Sequence, residues 1–219
     1  MNTLFMIFYR EYKMLSRLLR RPLSHASRVR HCAKAAADAK AAAVDEAITE
    51  LENLAAIARL DMRVGRIEKA WRHPEADRLY CEMIDVGEDA PRSIVSGLVA
   101  HYPEAEDLVG RQVIVVCNMK KSKLKGVVSQ GMVLCAEADG GASVELLEPP
   151  TASQPGDPVV AQGVVPAPVK ALKTAMLEKV FGCGKLHTGP DGVATFRGVP
   201  LVVGDAAVSA PTLRLANIR

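Results

Sequence analysis

Two apolar runs, Val113 to Asn118 and Gly131 to Ala136, are short, rich in β-branched residues and bounded by polar residues or glycine, the pattern of buried strands. The same texture begins near Asp61. Met62 to Ala70 alternates imperfectly, His73-Pro-Glu-Ala-Asp77 interrupts it, and Leu79 to Val86 comes next as a second strand. Arg92 to Gly97 reads as a third, Gln112 to Asn118 as a fourth and Met132 to Glu137 as a fifth, with Val144 to Leu147 extending the sheet. Five short strands separated by turn signals predict a mainly β chain built on a small closed barrel, the five-stranded OB type. Upstream, residues 38–60 are alanine-rich, with Asp38 as an N-cap and Val44, Ile48, Leu51, Ala55 and Ala58 at helical spacing. They predict an amphipathic helix that either docks on the adjoining domain or pairs with a partner helix.

Charge changes this picture locally. Residues 61–160 carry a net −5, while 1–60 and 161–219 carry +4 each, giving +3 for 219 residues. Any polyanion site in the barrel must therefore be a local patch. One is visible: no acid occurs between Asp107 and Glu137, and within that stretch lies Asn118-Met-Lys-Lys-Ser-Lys-Leu-Lys125-Gly126. Four ammonium groups at the edge of a small sheet suit phosphates, each neutralising one and releasing counterions. Residues 61–160 contain just three aromatics, Trp71, Tyr80 and Tyr102, too few for a generic single-strand binder that stacks successive bases. Trp71 and Tyr80 are expected in the core. Structured RNA fits better than single-stranded DNA.

Residues 1–37 set eight cations against one acid, Glu11, and from Met14 are rich in arginine and serine. They read as a transit segment addressing a mitochondrion; the alternative is a disordered basic arm on a cytoplasmic protein. No stretch approaches the roughly 20 apolar residues of a membrane span. The five cysteines are widely spaced with no C-x-x-C pair, so neither a disulfide framework nor a zinc site is expected, and no cofactor is implied.

Six segments, in order, carry a resemblance: Asp61-Met-Arg-Val-Gly-Arg-Ile, His73-Pro-Glu-Ala-Asp-Arg-Leu-Tyr, Ile84-Asp-Val-Gly, Arg92-Ser-Ile-Val-Ser-Gly-Leu, Cys117-Asn-Met-Lys and Lys125-Gly-Val-Val-Ser-Gln-Gly-Met. Together they resemble the OB-type tRNA-binding domain found in endothelial monocyte-activating polypeptide II and appended to some tyrosyl- and methionyl-tRNA synthetases. Leu186-His-Thr and Val193-Ala-Thr-Phe-Arg-Gly-Val-Pro-Leu resemble the C-terminal extension of the longer members. The resemblance implies a tRNA-binding domain over 61–160 and an α/β extension over 161–219 that packs on the barrel, mimics a dimer interface and leaves a monomer.

Carried over by position, the resemblance places RNA contacts at Asn118, Lys120, Lys123, Lys125, Ser129, Gln130 and Met132, with Arg63 and Arg66 on the first strand. The lysines would meet phosphates as point charges, while Asn118, Gln130 and Ser129 offer hydrogen bonds to ribose or base edges. Met132 offers a soft contact or fills the core. Strand alternation puts Arg63 and Arg66 on opposite faces, and Lys121 is expected only to be solvated. Catalytic readings are weaker. Met119-Lys-Lys-Ser-Lys has no nucleotide-binding partner motif, and His73 with Asp77 is expected to serve local turn bonding. The expectation is a non-catalytic tRNA-binding accessory factor for an aminoacyl-tRNA synthetase, held through residues 38–60. A scaffold subunit or a signalling protein is the reading from another class.

Overall fold

A computed structural model describes residues 38, 40–45, 49, 52–182 and 185–219, so the transit reading of 1–37 lies outside the described residues. The chain divides into two compact units, Met1–Glu50 and Leu51–Arg219. In the first, residues 40–45 are helical and exposed, and the Thr49 hydroxyl donates to the Asp45 carbonyl at 2.8 Å. In the second, residues 52–57 are helical and bury Asn53, Ala56, Ile57 and Leu60. The expected stripe is thus corrected: Ala55 is exposed, because the larger Ile57 and Leu60 set the face that packs, and Ile48 and Leu51 fall outside the described residues.

Five strands make the nearly closed barrel: β1 (Met62–Arg72), β2 (Tyr80–Asp85), β3 (Arg92–Ser96), β4 (Gln112–Val116) and, after the short hairpin strands β5 (Ser122–Leu124) and β6 (Val127–Ser129), β7 (Met132–Val133). Their order is β3-β2-β1-β4-β7. The expected fifth strand is broken at Leu134. Its second half, β8 (Cys135–Ala138), pairs with β9 (Ser143–Leu146) in another sheet.

That second sheet joins the barrel to the C-terminal region. It contains β10 (Val160–Ala161), β11 (Leu186–Thr188), β12 (Ala194–Phe196), β13 (Val199–Val203), β14 (Ala206–Ala207) and β15 (Asn217–Ile218). Strand β15 sits between β8 and β11, so the last residues stitch barrel to extension. A helix, Thr174–Phe181, buries Val180 in the shared core.

Alternation along β4 explains its unbroken apolar sequence. Val113, Val115 and Cys117 join Ile67, Tyr80, Ile84 and Ile94 inside the barrel. Ile114 and Val116, pointing the other way with Met62 and Val64, pack on Leu186, Phe196 and Leu201 of the extension. Both faces are dry from Val113 to Val116, so none of these four positions selects a polar residue. Gly65 is required inside, since a Cβ there would stand 2.7 Å from Ile84 and 2.9 Å from Val115.

A β-bulge in β1 reverses the facing of the second half of the strand. Ile67 opposes Ile84 while Lys69 opposes Met83, so one extra residue shifts the alternation. Ala70 then turns inward and Trp71 outward, where it is 43% exposed. The expectation of a core tryptophan is corrected, whereas Tyr80 is fully buried and its hydroxyl donates to the carbonyls of Tyr102 and Pro103 at 2.7 and 2.9 Å.

Three segments meet on one side chain. The Asn118 carboxamide accepts from the Asp61 N–H at 3.0 Å and donates to the carbonyls of Arg59 and Val169, both at 2.8 Å. Its own carbonyl accepts from Leu172 N–H at 2.9 Å. Asn118→Ala would orphan the backbone groups held by the carboxamide in a site where Asn118 is 7% exposed. We expect a loss of about 3 kcal/mol in a urea unfolding titration, and a loss under about 1 kcal/mol would refute the bridging role.

Inside the barrel, Glu82 is fully buried; Ser96 donates to one carboxylate oxygen at 2.6 Å and the other has no partner. Burial pushes its pKa up from 4.5 to about 7, against the lowering effect of Ser96. The folded state therefore holds this proton more tightly than the unfolded chain, and stability falls as pH rises from about 4.5 to about 7. Glu82→Gln removes that slope. Relative to wild type it should gain stability between pH 4.5 and pH 8, on the order of 3 kcal/mol, and equal denaturation midpoints for the two proteins at pH 8 would contradict the assignment.

Candidate nucleic-acid interface

The lysine turn begins directly at the Asn118 bridge. Met119, Lys120 and Lys121 lead into β5, and the β5–β6 hairpin closes through Lys125 and Gly126, with φ of 45° and 93°. Two positive φ values in a two-residue loop match the right-handed twist of the strands. Lys125 takes the left-handed position beside the glycine and stays exposed. Lys120, Lys121 and Lys123 are exposed as well.

The hairpin is held at both ends. At its tip, His73 Nδ1 accepts from the Glu75 N–H at 3.1 Å, leaving Nε2–H to donate to the Leu124 carbonyl at 3.2 Å. His73 thus serves turn and hairpin rather than Asp77. At its base, Ser129 Oγ accepts from Val95 N–H at 3.1 Å and donates to the Gly131 carbonyl at 3.0 Å. Gln130 adds its backbone N–H to the Ser93 carbonyl at 2.8 Å, and its Oε1 accepts from Ser93 N–H at 3.2 Å. Side chains here replace the missing β-ladder between β3 and β7 and close the barrel.

The start of the turn, Asn118 to Lys121, lines a groove of about 1070 Å³. Its lining combines Arg92, Lys120, Lys121 and Lys170 with Glu88 and Asp89, and includes Cys117, Asn118 and Gln130. Arg92 braces the wall. Its guanidinium donates to the carbonyls of Cys117 and Gln130 and grips Glu88 at 2.8 and 2.5 Å. Those hydrogen bonds hold the Glu88 carboxyl below its usual range. Burial pushes the Cys117 thiol up to about 11, so it is protonated at neutral pH and no nucleophile.

These placements sort the sequence-selected residues. Lys120, Lys123 and Lys125 are exposed along one continuous turn and hairpin, and Lys121, expected to be merely solvated, lines the groove beside Lys120. Gln130 reaches the groove, with its carboxamide oxygen spent on closure. Asn118 and Ser129 are buried with their side-chain polar atoms bonded to backbone, Asn118 within the groove lining. Met132 is half-buried on β7 and lines a different cavity, of about 330 Å³, with Ser96 and Cys135. Arg63 is fixed by two bonds to Asp61 at 2.8 Å and by Glu88 at 3.5 Å, while Arg66 lies exposed on the opposite face of β1.

Sequence reasoning missed Arg92, Lys170 and the two groove acids. Lys170 is 45 residues beyond Lys125, and nothing in the spacing announces that Leu172 N–H bonds to the Asn118 carbonyl and brings it to the turn. A signal for Arg92 exists in the Arg92-Ser-Ile-Val-Ser-Gly-Leu segment, where it opens the third strand and one of the six segments of the resemblance.

Residues 62–158 match the family model described as "Putative tRNA binding domain". The chain is 43% identical over 184 residues to the cytoplasmic methionine–tRNA ligase of Caenorhabditis elegans, covering 83% of this chain and 19% of that protein. It is 43% identical over 164 residues to aminoacyl tRNA synthase complex-interacting multifunctional protein 1 of Mus musculus, covering 74% and 51%. The chain therefore spans about half or less of the curated relatives it matches. The C-terminal domain of Plasmodium vivax p43 superposes with a TM-score of 0.68 at 32% identity, over 74% of this chain and 98% of that one. Barrel, closing segment and extension thus recur together in a relative covered almost end to end, and the chain belongs to the tRNA-binding domain family.

Proposed function

We propose that this protein is a non-catalytic tRNA-binding factor that delivers tRNA to an aminoacyl-tRNA synthetase. The observation that carries the reading is the track of Lys120, Lys121, Lys123 and Lys125. All four are exposed, and no salt bridge among the described residues engages them. The spread from Lys121 to Lys125 is roughly 13 Å of extended chain, enough to meet a curved phosphate backbone at several points. Lysine supplies point charges on flexible stems, which suits backbone contact without base selection.

The synthetase partner is supported by the relatives, one a tRNA ligase and the other named for its interaction with a synthetase complex. Residues 38–60 are the segment proposed to hold that partner. Delivery by tethering gains from effective concentration and asks for no chemistry of its own. A monomer is the proposed state, because the extension already covers the outer face of β1 and β4.

Simultaneous Lys120→Ala, Lys123→Ala and Lys125→Ala should weaken tRNA retention in filter binding and flatten the salt dependence by roughly 0.7 to 0.9 per lost phosphate contact. Unchanged affinity and unchanged slope would remove the track from the site. The mitochondrial address is proposed on the composition of residues 1–37. A reporter carrying residues 1–45 is expected in mitochondria, and a purely cytosolic signal would reject it.

A further inference from the structure

The chain has one tryptophan, and the bulge in β1 places it outside the barrel at 43% exposure. An indole left half in water wastes a large apolar surface unless something covers it. Among the described residues no cation stacks on it. Arg72, its neighbour, turns to the Tyr80 ring, 5.9 Å from the centroid, and donates to the Pro103 carbonyl at 2.7 Å. Lys69, two residues earlier on the same face, is exposed.

The hairpin that carries the lysine track is tied to the segment just after this ring. His73, two residues after Trp71, holds the Leu124 carbonyl at 3.2 Å, and Leu124 lies between Lys123 and Lys125. Trp71, Cys81 and Val95 lie in one row across β1, β2 and β3, and Val95 N–H continues that row to Ser129 at the hairpin base. Two of the other exposed large apolar residues, Leu124 at 39% and Val128 at 43%, belong to the hairpin. Exposed apolar side chains thus stand on both elements that the His73 bond joins, the second of which carries the cations.

We infer that Trp71 is a stacking site for an unpaired base of the bound RNA, at the end of the phosphate track formed by Lys121, Lys123 and Lys125. The inference rests on the tRNA-binding reading and adds a second kind of contact to it. The lysines fix the backbone without regard to sequence, and the indole takes a base already free of its helix, since every base has a π-face and none need be read by hydrogen bonds. A tRNA loop or single-stranded end supplies such a base; a blunt duplex does not. Charge selects this occupant, because an apolar protein surface would have to bury the neighbouring ammonium groups as well.

As the sole tryptophan, Trp71 reports on itself. In the full chain, tRNA should quench its fluorescence with the same midpoint as filter binding. A short single-stranded oligoribonucleotide should also quench it, and a blunt RNA duplex should not. Trp71→Ala should weaken tRNA binding by about 5- to 150-fold with an unchanged salt slope, while Trp71→Phe retains most of the affinity. Retention of tRNA with unmoved emission, or a Trp71→Ala protein that binds like wild type, overturns the inference yet leaves tRNA binding standing. Equal quenching by duplex and single strand also overturns it. No retention of tRNA at all removes the broader reading instead, and the oligoribonucleotide then decides the fate of Trp71 alone.

Discussion

The start of the lysine turn depends on the backbone bridge made by Asn118. One carboxamide at the end of β4 joins residues 59 and 61 before the barrel to residue 169 after it, and its carbonyl takes Leu172 as well. A carboxamide offers two donors and an acceptor, which is why one residue can clasp two chain directions at once. Its burial makes each bond costly to lose. The turn that begins at Met119 therefore starts from a fixed point, and Lys170 arrives beside Lys120 by the same clasp.

The strands were legible because burial on β4 comes from both sides and writes an unbroken apolar run, and the lysine turn was legible because no acid interrupts it. Two kinds of information were not. Polar residues in a motif do not announce their partners: Ser129 and Gln130 complete the β3–β7 seam, and Asn118 bonds backbone, although each type equally suits RNA. Nor does a sequence mark its bulge. Ile67 and Trp71 share a parity, and uninterrupted alternation would send both side chains inward; the extra residue between Ile67 and Lys69 reverses the second.

Regional charge was also misleading as a field. The barrel segment is acidic in total, yet many of those carboxylates are engaged: Asp61 on Arg63, Glu88 on Arg92 and Arg63, Asp85 on the Gly87 N–H, and Asp157 on the Gln154 N–H. Glu82 lies inside. Arginine and lysine have divided the work accordingly. Arg63, Arg72, Arg92 and Arg111 each hold a carboxylate, a carbonyl or a ring of their own chain. A planar fork with several fixed donors loses little entropy in such places. The lysines of the turn and hairpin are left in solvent, where a mobile ammonium keeps its hydration until a phosphate replaces it. A patch built this way works against an acidic background because four exposed lysines stand together in a stretch without acids, so the potential that a polyanion meets there is set by where the charges lie rather than by the segment's total.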